Sequence, residues 1–218
     1  MKKTICLIIT ISIICLTVSA NELLTDKTIK DLYDFGIMQG DENGDLRLKD
    51  NISRAEFCKM VCVALGFKNI SSNQLFVVED FYDVNPEHWA YGYIQTAKGL
   101  SLIDGVGKGY FNPNGNIKIC DAVKILISAL GYETKTEKIS YPQGYLTIAE
   151  DISLIKKEEF QAEKYAIREE IAYLISTALD IPILRQTSFG SIINYEAMDG
   201  KDGRPLITLR INLMPDGE

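Results

Sequence analysis

The sequence predicts a mainly α-helical repeat fold, three helix-loop-helix units in tandem followed by a small C-terminal β segment. Three observations predict it. A shift of 65 residues, from Gly40 to Gly105, brings many positions into agreement without gaps. Each copy carries a stretch in which apolar residues recur at i, i+3, i+4, i+7 and i+8, one continuous stripe on a helix. Between these stretches lie glycine- and asparagine-rich segments suited to turns.

The chain opens on a secretory leader, residues 1–20. Lys2 and Lys3 give a basic start, Ile5 to Val18 is almost wholly apolar, and Val18-Ser19-Ala20 offers a small-residue cleavage site, so the mature chain is expected to begin near Asn21. The apolar run falls short of the roughly 18 residues a membrane anchor needs. Cys15 lies inside it without the small residues expected ahead of a lipidated cysteine. No second stretch approaches membrane-spanning length, so no membrane span is expected after cleavage. The chain has 23 Lys+Arg against 30 Asp+Glu; loss of Lys2 and Lys3 leaves 21 against 30, a net charge of about −9. That field argues against generic nucleic-acid binding, which needs a clustered basic patch. Three cysteines remain, Cys58, Cys62 and Cys120, an odd number that makes no disulfide framework. They are expected as small core residues.

In the first copy a short helix is predicted over about Asp26 to Phe35, then the loop Gly40-Asp41-Glu42-Asn43-Gly44-Asp45. Its second helix carries the stripe Phe57, Met60, Val61, Ala64 and Leu65. The second copy repeats this: a helix near Trp89 to Gly99, the loop Gly105-Val106-Gly107-Lys108-Gly109-Tyr110, and the stripe Ala122, Ile125, Leu126, Ala129 and Leu130. Ile29 falls on Ile94, Leu46 on Phe111, Asn51-Ile52 on Asn116-Ile117, Lys59 on Lys124, and Ala64-Leu65-Gly66 on Ala129-Leu130-Gly131. Gly66 and Gly131 stand where a helix C-cap needs a left-handed residue. The third copy sets Ala166 against Ile117 and carries Ile171, Leu174, Ile175, Ala178 and Leu179, stopping at Asp180 before Ile181-Pro182. Beyond it a hairpin is expected around Asp199-Gly200-Lys201-Asp202-Gly203, and the alternation from Leu206 to Leu213 reads as a strand.

These residues resemble the S-layer homology module, whose pattern is an F-x-D-V segment, H-W-A opening a helix, a G-x-x-x-G-x-F-x-P loop and a T-R-A-E-type second helix. Copy two supplies Phe81-Tyr82-Asp83-Val84, His88-Trp89-Ala90 and Gly105 through Pro113; copy one supplies Ser53-Arg54-Ala55-Glu56-Phe57. Copy three is looser, with Tyr141-Pro142-Gln143-Gly144-Tyr145 opening its first helix and Arg168-Glu169-Glu170 at the motif. The divisions are 21–72, 73–137 and 138–184 for the repeats and 185–218 for the C-terminal segment. The resemblance implies three modules around a pseudo-threefold axis, the second helices forming a central bundle. It also implies non-covalent anchoring to secondary cell-wall polysaccharide, often pyruvylated, at the bacterial surface.

The residues have their own physical reading. Ser53 and Glu56 form a capping box, each satisfying a backbone donor at the helix start. Arg54 then occupies the first helical position and is expected to point outward, where a guanidinium beside a helix N-terminus suits an acidic sugar. The alternative is that Ser53 and Glu56 only cap and Arg54 is a solvated charge. Copy two has Lys118-Ile119 in place of Ser-Arg, leaving Lys118 to offer a charge; copy three keeps Arg168 behind Ile167. Trp89 either stacks on a sugar ring or packs in the core. Asp83 either accepts sugar hydroxyls or caps a turn. His88 has no nucleophile to serve and reads as structural.

Asp41, Asn43 and Asp45 resemble the start of a calcium loop, but Leu46 and Ile52 occupy positions that need Gly and Glu. Neither metal nor other cofactor is expected, and no nucleophile or paired-carboxylate constellation points to an enzyme. The two functions left open are a polysaccharide anchor and a structural protein whose repeats assemble with other envelope proteins.

Overall fold

The computed structural model describes residues 24–68, 70, 78–135, 140–156, 161–189 and 192–214; the leader reading lies outside them. Each copy begins with a short helix, α1 (Asp26–Asp34), α3 (Tyr91–Gly99) or α5 (Gln143–Asp151), and continues into a longer one, α2 (Arg54–Ala64), α4 (Ile119–Ala129) or α6 (Arg168–Asp180). The three long helices each pack on the other two. All stripe residues are buried except Leu65 and Ala129, which are half-buried. At roughly 1.5–3 kcal/mol for each large aliphatic side chain taken from water, this bundle is the main source of stability. Cys58, Cys62 and Cys120 are free and buried within it.

The short helices do not pack on their own copies. α3 lies on α2, α5 on α4, and α1 on α6, so each long helix is covered by the next copy around the circuit. Main-chain hydrogen bonds follow the same order. The N–H of Ile117 donates to Ile52 O (3.2 Å), that of Ile52 to Ala166 O (3.1 Å), and that of Ala166 to Ile117 O (2.9 Å), a closed ring of three.

That ring also explains how α4 and α6 begin without a side-chain cap. The first two N–H groups of each long helix donate to carbonyls of the following copy: Arg54 and Ala55 to Gly115 and Pro113, Ile119 and Cys120 to Lys164 and Ala162, Arg168 and Glu169 to Asp50 and Leu48. Orphan donors at a helix start need partners from somewhere, and here the neighbouring copy provides them. Lys118 and Ile167 are tolerated at the cap position for that reason. At the other end Gly66 and Gly131 adopt the expected positive φ, 92° and 84°. A Cβ at Gly131 would stand 2.3 Å from Leu184 O, so no other residue fits there without movement.

The C-terminal segment departs from expectation in two ways. Its hairpin is formed by β1 (Leu184–Phe189) and β2 (Ile192–Ala197), antiparallel, while the turn around 199–203 closes only a single bridge from Asp199 to Leu206. The run read as a strand contains instead α7 (Leu209–Leu213). Thr208 accepts the Ile211 N–H at its start (3.3 Å), and Leu209 and Leu213, four apart, are both buried. Alternation and helical spacing coincide over so short a run, and packing decides for the helix. α7 rests on α2 and α6. Arg210 binds Asp180 through Nε (2.5 Å) and Nη2 (2.9 Å) and Asp31 on α1 through Nη1 (2.8 Å), joining the first copy to the third. The segment is therefore a clasp on the bundle rather than an appendage.

Candidate functional site

The capping box at α2 forms as its sequence predicts. Glu56 N–H donates to Ser53 Oγ (3.2 Å), and Glu56 Oε2 accepts from both the N–H and the hydroxyl of Ser53 (2.9 and 2.8 Å). In copy three Glu170 returns Oε2 to the Ile167 N–H (3.0 Å), which is half of the same device.

Neither arginine points freely outward, which corrects the expectation for Arg54. Each crosses to the loop of the following copy. Arg54 Nε donates to Phe111 O and Arg168 Nε to Leu46 O, both at 2.8 Å and at equivalent places in the repeat. The physical reason is the left-over carbonyl of that loop, which a guanidinium satisfies at no cost in exposure of its other donors.

From there the two differ. Arg168 also donates through Nη1 to Glu56 (3.0 Å) and through Nη2 to Gln39 O (3.1 Å), and is only 7% exposed. It is a fastener between copies three and one, with no fork left for a carboxylate. Arg54 is half-buried, its guanidinium carbon lies 4.7 Å from the Phe111 ring centre, and its terminal nitrogens have no partner among the described residues. Burial lowers its pKa, opposed chiefly by the Asp121 carboxylate.

The structure thus gathers polar and aromatic side chains at two places between copies. One, a groove of about 220 Å³, is lined by Gln39, Gly40, Glu56, Lys59, Trp89 and Arg168 among others. Trp89 is 57% exposed and stacked on His88, whose Nδ1 accepts the Ala90 N–H (3.1 Å). Desolvation lowers the Lys59 pKa, and the neighbouring Arg168 lowers it further. At the second place Arg54 lies against Phe111, near Asp121 and Tyr141, which are bonded to each other. Setting Gly144 on Gly92 places Tyr141 on Trp89, and both stand just before their short helices. Sequence reasoning missed Tyr141, Asp121 and Lys59; the 52-residue offset of the third copy's first helix was the available signal for Tyr141.

The remaining candidates fall elsewhere. Asp83 uses both carboxylate oxygens on the N–H groups of Phe111 and Asn112 (2.8 and 2.7 Å), holding the loop. Lys118 pairs with Glu163 (2.8 Å) at the surface, and this partner lowers the Glu163 pKa. Asp41 Oδ1 accepts the N–H groups of Asn43 and Asp45 (2.8 and 3.1 Å), so that carboxylate closes a turn. No cluster of three metal-ligating side chains occurs among the described residues.

Tyr141 donates to Asp121 Oδ1 (2.6 Å), and its hydroxyl lies 3.3 Å from Cys120 Sγ. Burial, then the bond to Asp121, raises its pKa. A phenol whose folded pKa is raised contributes stability that is complete below its unfolded value, about 10, and is lost as pH rises beyond it. Tyr141→Phe should therefore flatten the decline of stability between about pH 9 and 11 in urea titrations.

The S-layer homology domain family matches residues 25–58 and 80–118. These two regions are S-layer homology domain segments. The matched segments include α1, the start of α2, the F-x-D-V segment, α3 and the loop holding Phe111. Among curated proteins this chain is 28% identical over 179 residues to a cell surface protein of Thermoanaerobacter kivui, covering 81% of this chain and 22% of that one. It is 27% identical over 171 residues to the middle cell wall protein of Brevibacillus brevis, covering 78% and 16%. It is also 27% identical over 170 residues to an endoglucanase of Bacillus sp. strain KSM-635, covering 69% and 17%. The chain spans about a fifth or less of these relatives' length. No helix among the described residues is long and apolar enough to cross a membrane.

Proposed function

We propose that this protein is a non-catalytic anchor that holds to secondary cell-wall polysaccharide at the bacterial surface after loss of residues 1–20. Its three repeats, 21–72, 73–137 and 138–184, are arranged about a pseudo-threefold axis, a reading supported by the ring through Ile52, Ile117 and Ala166. The two places between copies take the glycan, and an acidic ketal of the pyruvylated type suits the Arg54 fork. The observation that carries this reading is the difference between the arginines: Arg54 keeps terminal donors free beside Phe111 and Tyr141, whereas Arg168 does not. A guanidinium with an open fork binds a carboxylate bidentately, and exposed aromatic faces suit the apolar side of a pyranose.

Arg54 is the principal anion-binding residue, with Trp89 and Lys59 in the groove contacting sugar. Ser53, Glu56, Asp83 and Arg168 act as supports, and Lys118 contributes only surface charge. Cell-wall sedimentation tests the proposal. The mature protein should co-sediment with intact walls and stay in the supernatant with walls stripped of secondary polysaccharide. Equal binding to both would refute it.

A further inference from the structure

Copy two fills a surface slot from its own chain, and among the described residues nothing fills the counterpart on copy one. In copy two, residues 79–84 run across α3 and its loop. The Phe81 ring sits 5.3 Å from Phe111 and carries the Lys98 ammonium at 4.1 Å. Tyr82 N–H donates to Gly109 O (2.9 Å), and Asp83 accepts the N–H groups of Phe111 and Asn112. Asp80 accepts from the Tyr91 hydroxyl (2.8 Å) and the Gln95 amide (2.7 Å). The 65-residue offset carries this segment onto Ile14 to Ser19, which holds neither an aromatic nor an acidic residue.

On copy one the corresponding surface is a cleft of about 530 Å³, lined by Ile29, Lys30, Tyr33, Gly40, Gly44 and Leu46 among others. These stand at the places of Ile94, Gln95, Lys98, Gly105, Gly109 and Phe111. Ile94 and Phe111 are fully buried, but Ile29 and Leu46 are only half-buried. The Leu46 N–H and Gly44 carbonyl, counterparts of the groups that meet Asp83 and Tyr82, have no partner among the described residues. One donor differs, since the Arg47 N–H is already held by Asp45 Oδ1 (2.8 Å).

We propose that this cleft is a docking site for an extended segment of a separate polypeptide. The segment carries an aromatic residue, an acid immediately before it and a second acid two positions after, seated as Asp80 to Asp83 seat in copy two. The aromatic ring covers Ile29, Leu46 and the edge of Tyr33. The following acid takes the Leu46 N–H, the Gly44 carbonyl receives a main-chain N–H, and Lys30, paired with Asp34 in the free chain, turns to the leading acid at the place of Gln95 in copy two. Added backbone hydrogen bonds supply affinity and the ring slot supplies specificity, as in other cases where an extended peptide completes a surface. This cleft adjoins the Trp89 groove, with which it shares Gln39 and Gly40.

The test uses the exported chain from Asn21, isotope-labelled for NMR, and a synthetic peptide of residues Val78 to Pro86. Saturable shifts at the Gly44, Leu46 and Ile29 amides are expected, with affinity at least tenfold weaker for the peptide carrying Phe81→Ala. Absence of saturation at millimolar peptide, equal affinity for the alanine peptide, or shifts confined to Phe111 and Asn112 would each overturn the proposal.

Discussion

Replacing Arg168 by alanine should cost about 3–5 kcal/mol of folding stability, because it takes the main charge partner from a half-buried carboxylate and leaves two carbonyls without a donor. Arg168 is held by Leu46 O, Gln39 O and the Glu56 carboxylate, and all three belong to copy one. Glu56 keeps Arg47, at 3.5 Å and near the surface, as a weaker partner, which places the loss toward the lower end of that range. Urea unfolding of Arg168→Ala against the parent checks this, and a loss under 1 kcal/mol would show that copies one and three are joined by something else. The residue reads as a binding arginine in the sequence, so reduced wall binding by this variant would report unfolding rather than a lost ligand contact.

The double substitution Leu209→Ala/Leu213→Ala should remove roughly 4–10 kcal/mol, from about 2–5 for each buried leucine emptied to alanine. Both side chains lie under α7 against α2 and α6. Such a loss is a large fraction of the roughly 5–15 kcal/mol that holds a domain folded, and for a chain of this size each kcal/mol lowers Tm by about 2–4 °C. A detachable β appendage would leave Tm unchanged. Calorimetry on the full chain distinguishes the two.

What the sequence made legible follows from physics that is local or periodic. The stripes from Phe57 to Leu65, Ala122 to Leu130 and Ile171 to Leu179 mark the buried faces of the long helices because one period governs them. Gly66 and Gly131 mark the helix ends because their backbone conformation is costly for other residues. The circuit in which α3 covers α2 and α1 covers α6 was not legible from spacing, since equal repeats pack equally well on their own or on a neighbouring copy. The roles of Arg54 and Arg168 separated only in three dimensions. Both sit first in their helix beside an acid, and the difference arises from Glu56, Leu46 and Gln39 converging on one of them. α7 was missed because Leu206 to Leu213 fits both a period of two and a spacing of four.

The polysaccharide reading rests on Arg54, and the most direct measurement is calorimetric titration of the mature protein and of Arg54→Met with purified secondary cell-wall polysaccharide. Methionine keeps the aliphatic contact with Phe111 and removes the fork together with the Nε bond to Phe111 O, so thermal melts of both proteins establish that each is folded. The account predicts saturable binding by the parent and at least a tenfold weaker Kd for the variant, on the order of the 1.5–3 kcal/mol that a charged hydrogen bond contributes. Equal affinities, or no heat of binding from either folded protein, would contradict it.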